Sequence, residues 1–401
     1  MAKLLWGKVY FHDQFAGLLR QELGDRMSFI YDKDFLQTGK SVAYTLPLQP
    51  APFIYENGLL PFFDNLVAEG WLEKAQTRLL GKRSASRFEL LLAYGHDCAG
   101  AVSIIDSEPT HLTDLLLDKS DPKEIAILQS RASLSGIQPK LALVEREGKL
   151  FPSQHDEIST HIAKFPSTEH DDLLINEYLT TKAFQALLPE DDVVNLKMDV
   201  ISGFSQPALI TKRFDRSHGQ RIHFEEFNQL LNRSSNAKYS GSYKEMAEFL
   251  NNTKGCLPAE VYRLFIRILA GILLGNTDMH FKNFALFQTT EGLRLTPSYD
   301  QVAAALYQYK TLALTIGGAS DLQIGKIKSR TILTLGKEFG LSNKAIEMAV
   351  KQLERHLKKA EHAILEEKLG SEDFKNKLIT LMRKRWNGTF ALIGKALLKK
   401  R

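Results

Sequence analysis

The sequence predicts an α+β chain of two lobes, the first rich in strands and the second all helical, with a small mixed module added in front. Three observations predict it. Short alternating or β-branched runs are concentrated before residue 215. From about residue 222 the apolar residues recur at helical spacing almost to the end. And 401 residues are too many for one simple core. The expected partition is 1–105 for the module, 106–220 for the β-rich lobe and 221–401 for the helical lobe.

In the module, Lys8–Phe11, Met27–Tyr31 and Ser41–Leu46 read as strands. The Pro-rich turn Pro47–Pro52 follows, and Leu60–Val67 reads as a helix start with Pro61 in its first turn. Asp106–Ile127 is acidic and polar, a connector. Leu141–Val144 and Lys149–Phe151 flank Glu145-Arg146-Glu147-Gly148 as a hairpin. Ser159–Phe165 is a strand closed by Pro166, and Leu173–Leu187 is a helix. Leu196–Ile201 and Ala208–Phe214 are strands parted by Ser202-Gly203. Strand character returns once in the helical lobe, at Leu286–Phe287 and Leu293–Thr296.

Composition narrows the class. Apolar residues make up 44% and charged residues 25%, as in ordinary globular proteins. No apolar run approaches the ~20 residues of a membrane span, and Asp13 interrupts the start too early for a signal peptide. Two cysteines, Cys98 and Cys256, without a CxxC, speak for a reducing, cytoplasmic setting. The net charge of +5 is uneven, because residues 351–401 hold 14 Lys/Arg against 6 Asp/Glu. That end reads either as a solvated helix face or as a surface for nucleic acid or an acidic protein.

The chemistry is carried by an ordered set of residues. The apolar helix Val261–Leu274 ends at Gly275, and Asp278-Met-His-Phe-Lys-Asn283 falls on the loop beyond it. Asp followed by Asn five positions later is the spacing of kinase catalytic loops, where the Asp takes a hydroxyl proton and the Asn binds magnesium. Asp300 lies 17 residues further on and supplies a second hard oxygen ligand. Upstream, Ser133-Leu-Ser-Gly-Ile-Gln-Pro-Lys140 is a small polar turn able to hold phosphate oxygens on backbone N–H groups. Lys164 sits in an apolar strand and needs an anion, either phosphate or a carboxylate, with Glu177 on the next helix the candidate ion-pair partner. Each signal is weak alone; their order is the one phosphoryl transfer uses.

At these residues the sequence resembles the HipA family of serine/threonine kinases, the toxin half of bacterial toxin–antitoxin pairs. The matching pieces are Ser133–Lys140, Thr160–Pro166, Asn176-Glu177-Tyr178, Arg213-Phe214-Asp215-Arg216, Thr277–Phe284 and Leu295–Asp300. Phe62–Leu66 and Gly100–Ile104 extend the likeness into the module. The resemblance implies a kinase-like fold and the cofactors ATP and Mg2+. It implies Asp278 as proton acceptor and Asn283 and Asp300 as magnesium ligands. It places Ser135, Gly136, Ile137, Gln138, Pro139, Lys140 and Lys164 on the phosphates, Lys212, Arg213 and Phe214 at the adenine hinge, and His280, Phe281, Lys282 and Tyr299 around the nucleotide.

Ser133 matches a serine that silences the family's enzymes when autophosphorylated. A second serine, Ser135, gives a Ser-x-Ser spacing similar to the related HipT branch, so both are candidates. Lys212 stands where the family often has an acidic residue, leaving backbone contacts to adenine as what the hinge carries over. The implied partners are a HipB-like helix-turn-helix antitoxin, an aminoacyl-tRNA synthetase as substrate, and DNA mainly through the antitoxin. The residues alone also leave open a small-molecule phosphotransferase and a non-catalytic co-repressor or pseudokinase.

Overall fold

The computed structural model describes residues 4–107, 122–134, 136, 138–155, 157–166, 170 and 172–398. They form two compact units: residues 1–169 with 196–237, and residues 170–195 with 238–401.

The first unit holds two five-stranded antiparallel sheets. Strands β1 (Trp6–Phe11), β2 (Gln14–Gln21), β3 (Met27–Tyr31), β4 (Phe53–Tyr55) and β5 (Val102–Asp106) assemble in the order β4-β3-β2-β1-β5. The β1–β2 turn is His12-Asp13, both at positive φ (47° and 62°), the left-handed pair that a two-residue hairpin needs. Gly7, Val9 and Phe11 alternate inward on β1, the period-2 pattern of a half-buried strand. Helices Gly70–Leu79 and Arg87–Tyr94 lie between β4 and β5 in the chain, and the second starts on a Ser86–Glu89 capping box. Strands β6 (Lys140–Arg146), β7 (Lys149–Pro152), β8 (His161–Lys164), β9 (Leu196–Val200) and β10 (Pro207–Lys212) form the second sheet, in the order β7-β6-β8-β10-β9.

Two expected elements differ. Ser41–Leu46 is not a strand but a turn with one bridge, Ala43–Leu46. The buried Tyr31 hydroxyl takes over the backbone bonding there, accepting from Val42 N and donating to the Leu46 carbonyl. The helix expected from Leu60 lasts only from Pro61 to Asp64. The Asn65 amide donates to the Pro61 carbonyl (2.8 Å) and closes it. The connector is partly helical, at Pro122–Ser130, and its residues 108–121 lie outside the described residues.

A buried ion cluster joins the residues just before β5 to the loops of the second sheet. Asp97 accepts from Arg213 (3.2 Å), Arg216 (2.8 Å), Arg221 (3.1 Å) and the Ser159 hydroxyl (2.5 Å). Asp215 accepts from Arg213 and Arg216 (both 2.7 Å) and from Gly100 N (2.8 Å). The carbonyls of Cys98 and Gly100 absorb further guanidinium donors. Burial alone would raise the Asp97 carboxyl, but the three guanidiniums outweigh it and hold the group well below the ordinary range.

The second unit is mostly helical. Helix Pro258–Leu274 is its axis, almost wholly buried from Leu264 onward. Leu173–Leu187 packs along the 23-residue helix Asn343–Leu365. Tyr243–Asn252, Ser329–Glu338 and Glu372–Arg385 complete the layer. The hairpin Ala285–Thr289/Gly292–Leu295 is its strand element, where the sequence predicts strand character. Among the described residues no helix is long and apolar enough to cross a membrane.

Asp97→Ala strands three buried guanidiniums with one carboxylate between them. It should cost about 3–5 kcal/mol of unfolding free energy, read from urea midpoints. Because the folded pKa is depressed, the stabilisation is present above the ordinary value of 3.8 and fades as pH falls below it. The wild type should therefore lose stability through that range, and Asp97→Ala should lose less there. Equal urea midpoints for the two proteins at pH 7 would show that the cluster does not hold the unit together.

Candidate active site

In the first unit, β6 and β8 pair so that Lys140 lies directly opposite Lys164. Opposed residues of an antiparallel pair share a face, with Cβ atoms about 5 Å apart. Both stems therefore leave the sheet on the same face. The Lys140 stem is buried (6% exposed), and its Nζ reaches back to the turn before β6. A Cβ added to Gly136, which sits at φ +105°, would lie 2.3 Å from that nitrogen. Gly136 is thus required twice, by backbone conformation and by the approach of the amine. The turn is pinned to β8 by Gln138 Nε2 donating to the Phe165 carbonyl (2.8 Å) and by Phe165 N donating to the Pro139 carbonyl (2.9 Å). Ser133 is buried, and its hydroxyl donates to the Leu66 carbonyl (2.7 Å). Ser135 and Ile137 lie outside the described residues.

At the end of β10, Lys212 is exposed and Phe214 packs edge-on against Phe224. Arg213, expected beside it at the hinge, has its guanidinium in the Asp97–Asp215 cluster. The side chain is thereby committed to the fold, which leaves the backbone as what this residue can offer a ligand.

In the second unit, helix Pro258–Leu274 stops at Gly275, whose φ of +81° makes it a left-handed cap. The next residues are fixed by side chains rather than by regular structure. Asn276 Oδ1 accepts from Asp278 N (3.1 Å), while its Nδ2 lies 3.3 Å from Gln301 Oε1 and 3.5 Å from the Asp300 carbonyl. Thr277 donates its hydroxyl to the Tyr309 carbonyl (2.8 Å). His280 and Asn283 close on each other: His280 N donates to Asn283 Oδ1 (3.1 Å), Asn283 N to the His280 carbonyl (3.0 Å), and Lys282 N to His280 Nδ1 (3.2 Å). Phe281 is fully buried, Lys282 is buried, and the Tyr299 hydroxyl donates to the Lys282 carbonyl (2.7 Å). The D-x-x-x-x-N segment is therefore a tight 3₁₀ turn, Phe281–Asn283, with Asp278 at its mouth.

Asp278 opens to solvent but is surrounded closely enough by protein for desolvation to raise its pKa. Tyr239 and Lys238 pull it down, Asp300 pushes it up, and the balance stays above the ordinary value. The Tyr239 hydroxyl donates to Asp278 Oδ1 (3.0 Å), and its ring meets His280 edge-on at 4.9 Å. Asp300 sits at φ +53°, a conformation that Asp tolerates better than most residues. Just beyond it, Asn176 takes both backbone groups of Ala303: Oδ1 accepts from its N (2.8 Å) and Nδ2 approaches its O (3.3 Å). Neighbouring Glu177 is buried at 2% exposure on the same helix, in the second unit, whereas Lys164 belongs to the first.

The donor set fits magnesium. Asn283 and Asp300 offer an amide and a carboxylate oxygen, and Mg2+ is held by few hard protein ligands while keeping several waters. Tyr239, Asn276 and Asn176 are absent from the residues that the sequence reading singled out for chemistry. Tyr239 lies 39 residues before Asp278 in a Ser/Gly loop whose only signal is an aromatic among small polar residues. Asn176 was visible in the Asn176-Glu177-Tyr178 block, but not its grip on Ala303.

The family description "HipA-like C-terminal domain" matches residues 132–361, more than half of the chain. "HipA N-terminal domain" matches residues 7–105. The chain belongs to the HipA family. A curated relative, the serine/threonine-protein kinase toxin HipA of Shewanella oneidensis, is 28% identical over 357 residues, covering 80% of each protein. Among solved structures, HipA in the Shewanella oneidensis HipA–HipB–operator DNA complex superposes with a TM-score of 0.76 at 23% identity, over 96% of this chain and 99% of that one. The fold is thus the HipA-like, kinase-like α+β fold, and a kinase is the coarse activity that HipA membership gives the chain.

Tyr239→Phe deletes a hydrogen bond to the ionised Asp278. The carboxyl pKa should rise further, so the acid limb of the rate profile should move to higher pH, with a fall in kcat of up to about tenfold. An unchanged pH–rate profile in this variant would remove Tyr239 from the site.

Proposed function

We propose that the protein is an ATP-dependent serine/threonine protein kinase of the toxin type, moving the γ-phosphoryl group onto a serine of a protein target. The observation that carries the reading is Asp278: a desolvated carboxylate at the mouth of the D-x-x-x-x-N turn, steadied on one oxygen by Tyr239. The Asp278 carboxylate takes the proton of the acceptor hydroxyl as the new O–P bond forms and the bond to the β-phosphate oxygen breaks, with ADP leaving. The raised pKa makes the carboxylate a better proton acceptor. Asn283 and Asp300 would hold magnesium, which supplies charge neutralisation on the phosphates. Lys140 and Lys164 attract phosphate oxygens, Gly136, Gln138 and Pro139 shape the turn over them, and residues 212–214 offer backbone to adenine.

The remaining assignments rest on family likeness. Ser133 or Ser135 is the autophosphorylation site, and a phosphoserine in that turn would compete with ATP for the same donors. The protein target is an aminoacyl-tRNA synthetase. A HipB-like helix-turn-helix antitoxin is the partner, and DNA is reached mainly through it. The Shewanella HipA was solved with HipB and operator DNA, which supports the last two. Cys98 and Cys256 are free thiols whose pKa values burial pushes up to about 12 and about 11. A cytoplasmic setting rests on the same family likeness.

The test is phosphoryl transfer from labelled ATP with Mg2+, comparing wild type with Asp278→Gln and reading Ser133 and Ser135 by mass spectrometry. Wild type should label protein, and the variant should lose at least about a thousandfold in rate, as removal of a general base together with its charge does. Label carried only by a small metabolite, or equal labelling by the variant, would overturn the reading.

A further inference from the structure

We propose that Gln76, in the HipA N-terminal domain, is a positioning residue for the phosphate-binding turn and acts on it through Ala132 and Ser133. The inference rests on the functional reading above only in taking residues 133–140 as the turn that holds phosphate.

Gln76 lies on helix Gly70–Leu79 and is fully buried. Its Nε2 donates to the Ala132 carbonyl (3.0 Å), 56 residues away in sequence. Its Oε1 is buried without a hydrogen-bond partner among the described residues. A buried amide that satisfies only half of itself is a poor way to fill a core, where leucine or methionine would cost nothing in polar desolvation. What the amide adds over an apolar side chain is the single bond to Ala132.

That bond belongs to a three-point anchor. Ser133 Oγ donates to the Leu66 carbonyl (2.7 Å), and Ser133 N donates to the Asp97 carbonyl (3.3 Å) within a parallel bridge between Asp97 and Ala132. All three attachment points, residues 66, 76 and 97, lie in the segment matched as the HipA N-terminal domain. Ala132, Ser133 and Leu134 are all buried by it. Three residues after Ser133 comes Gly136, close against the Lys140 amine. Seating residues 132–134 therefore sets where the glycine and the amine meet. The N-terminal domain is in this way part of the nucleotide-binding apparatus and not a separate appendage.

The test uses the full chain and the fluorescent nucleotide mant-ATP with Mg2+. Affinity is measured beside amide hydrogen exchange at Ser133 and Leu134, in wild type, Gln76→Leu and Ser133→Ala, each shown by mass spectrometry to be unphosphorylated at Ser133 and Ser135. Gln76→Leu keeps the volume and removes the bond; Ser133→Ala removes the neighbouring anchor from the other side. Each should raise the Kd for mant-ATP about fivefold, as loss of one ordering hydrogen bond does, and speed exchange at Ser133 and Leu134. Exchange in helix Pro258–Leu274 should not change. The two effects should be less than additive in the double variant, because both release the same segment. A thermal melt within a few degrees of wild type confirms folding; if Gln76→Leu does not fold, Gln76→Met, which also lacks the amide, takes its place. Unchanged exchange at Ser133 overturns the proposal, and so does faster exchange with unchanged nucleotide affinity. A wild type that does not bind mant-ATP refutes the kinase reading instead, and the exchange arm still shows whether Gln76 holds the segment.

Discussion

Asp97 is the carboxylate on which the first unit turns. It lies three residues beyond the helix Arg87–Tyr94, and it is met by arginines from the far end of the second sheet and by Ser159 from just before β8. Three guanidiniums against two carboxylates would be poor electrostatics in a dry interior. Most of the surplus donors end on backbone carbonyls at His96, Cys98 and Gly100, while Arg216 Nε and Arg221 Nε are buried with no hydrogen-bond partner among the described residues. The bonds are directional, so the cluster fixes geometry even where its net energy is modest. The Asp97 carbonyl also receives Ser133 N. The same residue thus ties the N-terminal domain to the sheet bearing Lys164 and to the start of the phosphate turn.

The second unit solves a similar problem around its loops. Asp191 receives Arg263 and Arg267; Arg263 also holds Glu260, which accepts Leu295 N, and Arg267 donates to the Thr296 carbonyl. This brace locks the hairpin ending at Leu295 onto helix Pro258–Leu274, and the D-x-x-x-x-N turn is the chain between them. Asn276 then spans from Asp278 toward Gln301, and Asn176 fixes Ala303. The loops are held by amides and guanidiniums on backbone atoms, which impose position without needing a helix or strand. Side-chain bonds of this kind lock the rotamers and backbone of a loop that has no ladder of its own.

This explains what could be read from the sequence. Met27–Tyr31 and Leu173–Leu187 follow from local pattern alone and end where expected. So do the hairpin of β6 and β7 and the stop at Gly275. Ser41–Leu46 differs because the Tyr31 hydroxyl takes the backbone groups that a strand pairing would have used. Leu60–Val67 starts a helix as expected, but after Asp64 its bonds tighten to the i+3 pattern, from Leu66 N to the Phe63 carbonyl and from Val67 N to the Asp64 carbonyl. At the site, Asp278, Asn283 and Asp300 are visible because their spacing is sequential. Tyr239 and Gln76 are invisible because their partners are 39 and 56 residues away. Arg213 shows the converse. Its place just after β10 follows from local pattern, but its charge is held inside the core, and only partners distant in sequence, such as Asp97, reveal that.

The opposed lysines show why such scaffolding matters for nucleotide chemistry. Lys140 and Lys164 stand on one face of neighbouring strands. The use of such a pair for the proposed phosphate contacts depends on rigidity, because a side chain already in position loses less freedom on binding. Lys140 is held by its buried stem and by the closeness of its amine to Gly136. Lys164 is held by its register between β6 and β10. Both constraints lead back to the Asp97 cluster, through Ser133 on one side and Ser159 on the other. A carboxylate at the centre of the first unit thereby fixes where the two opposed lysines stand.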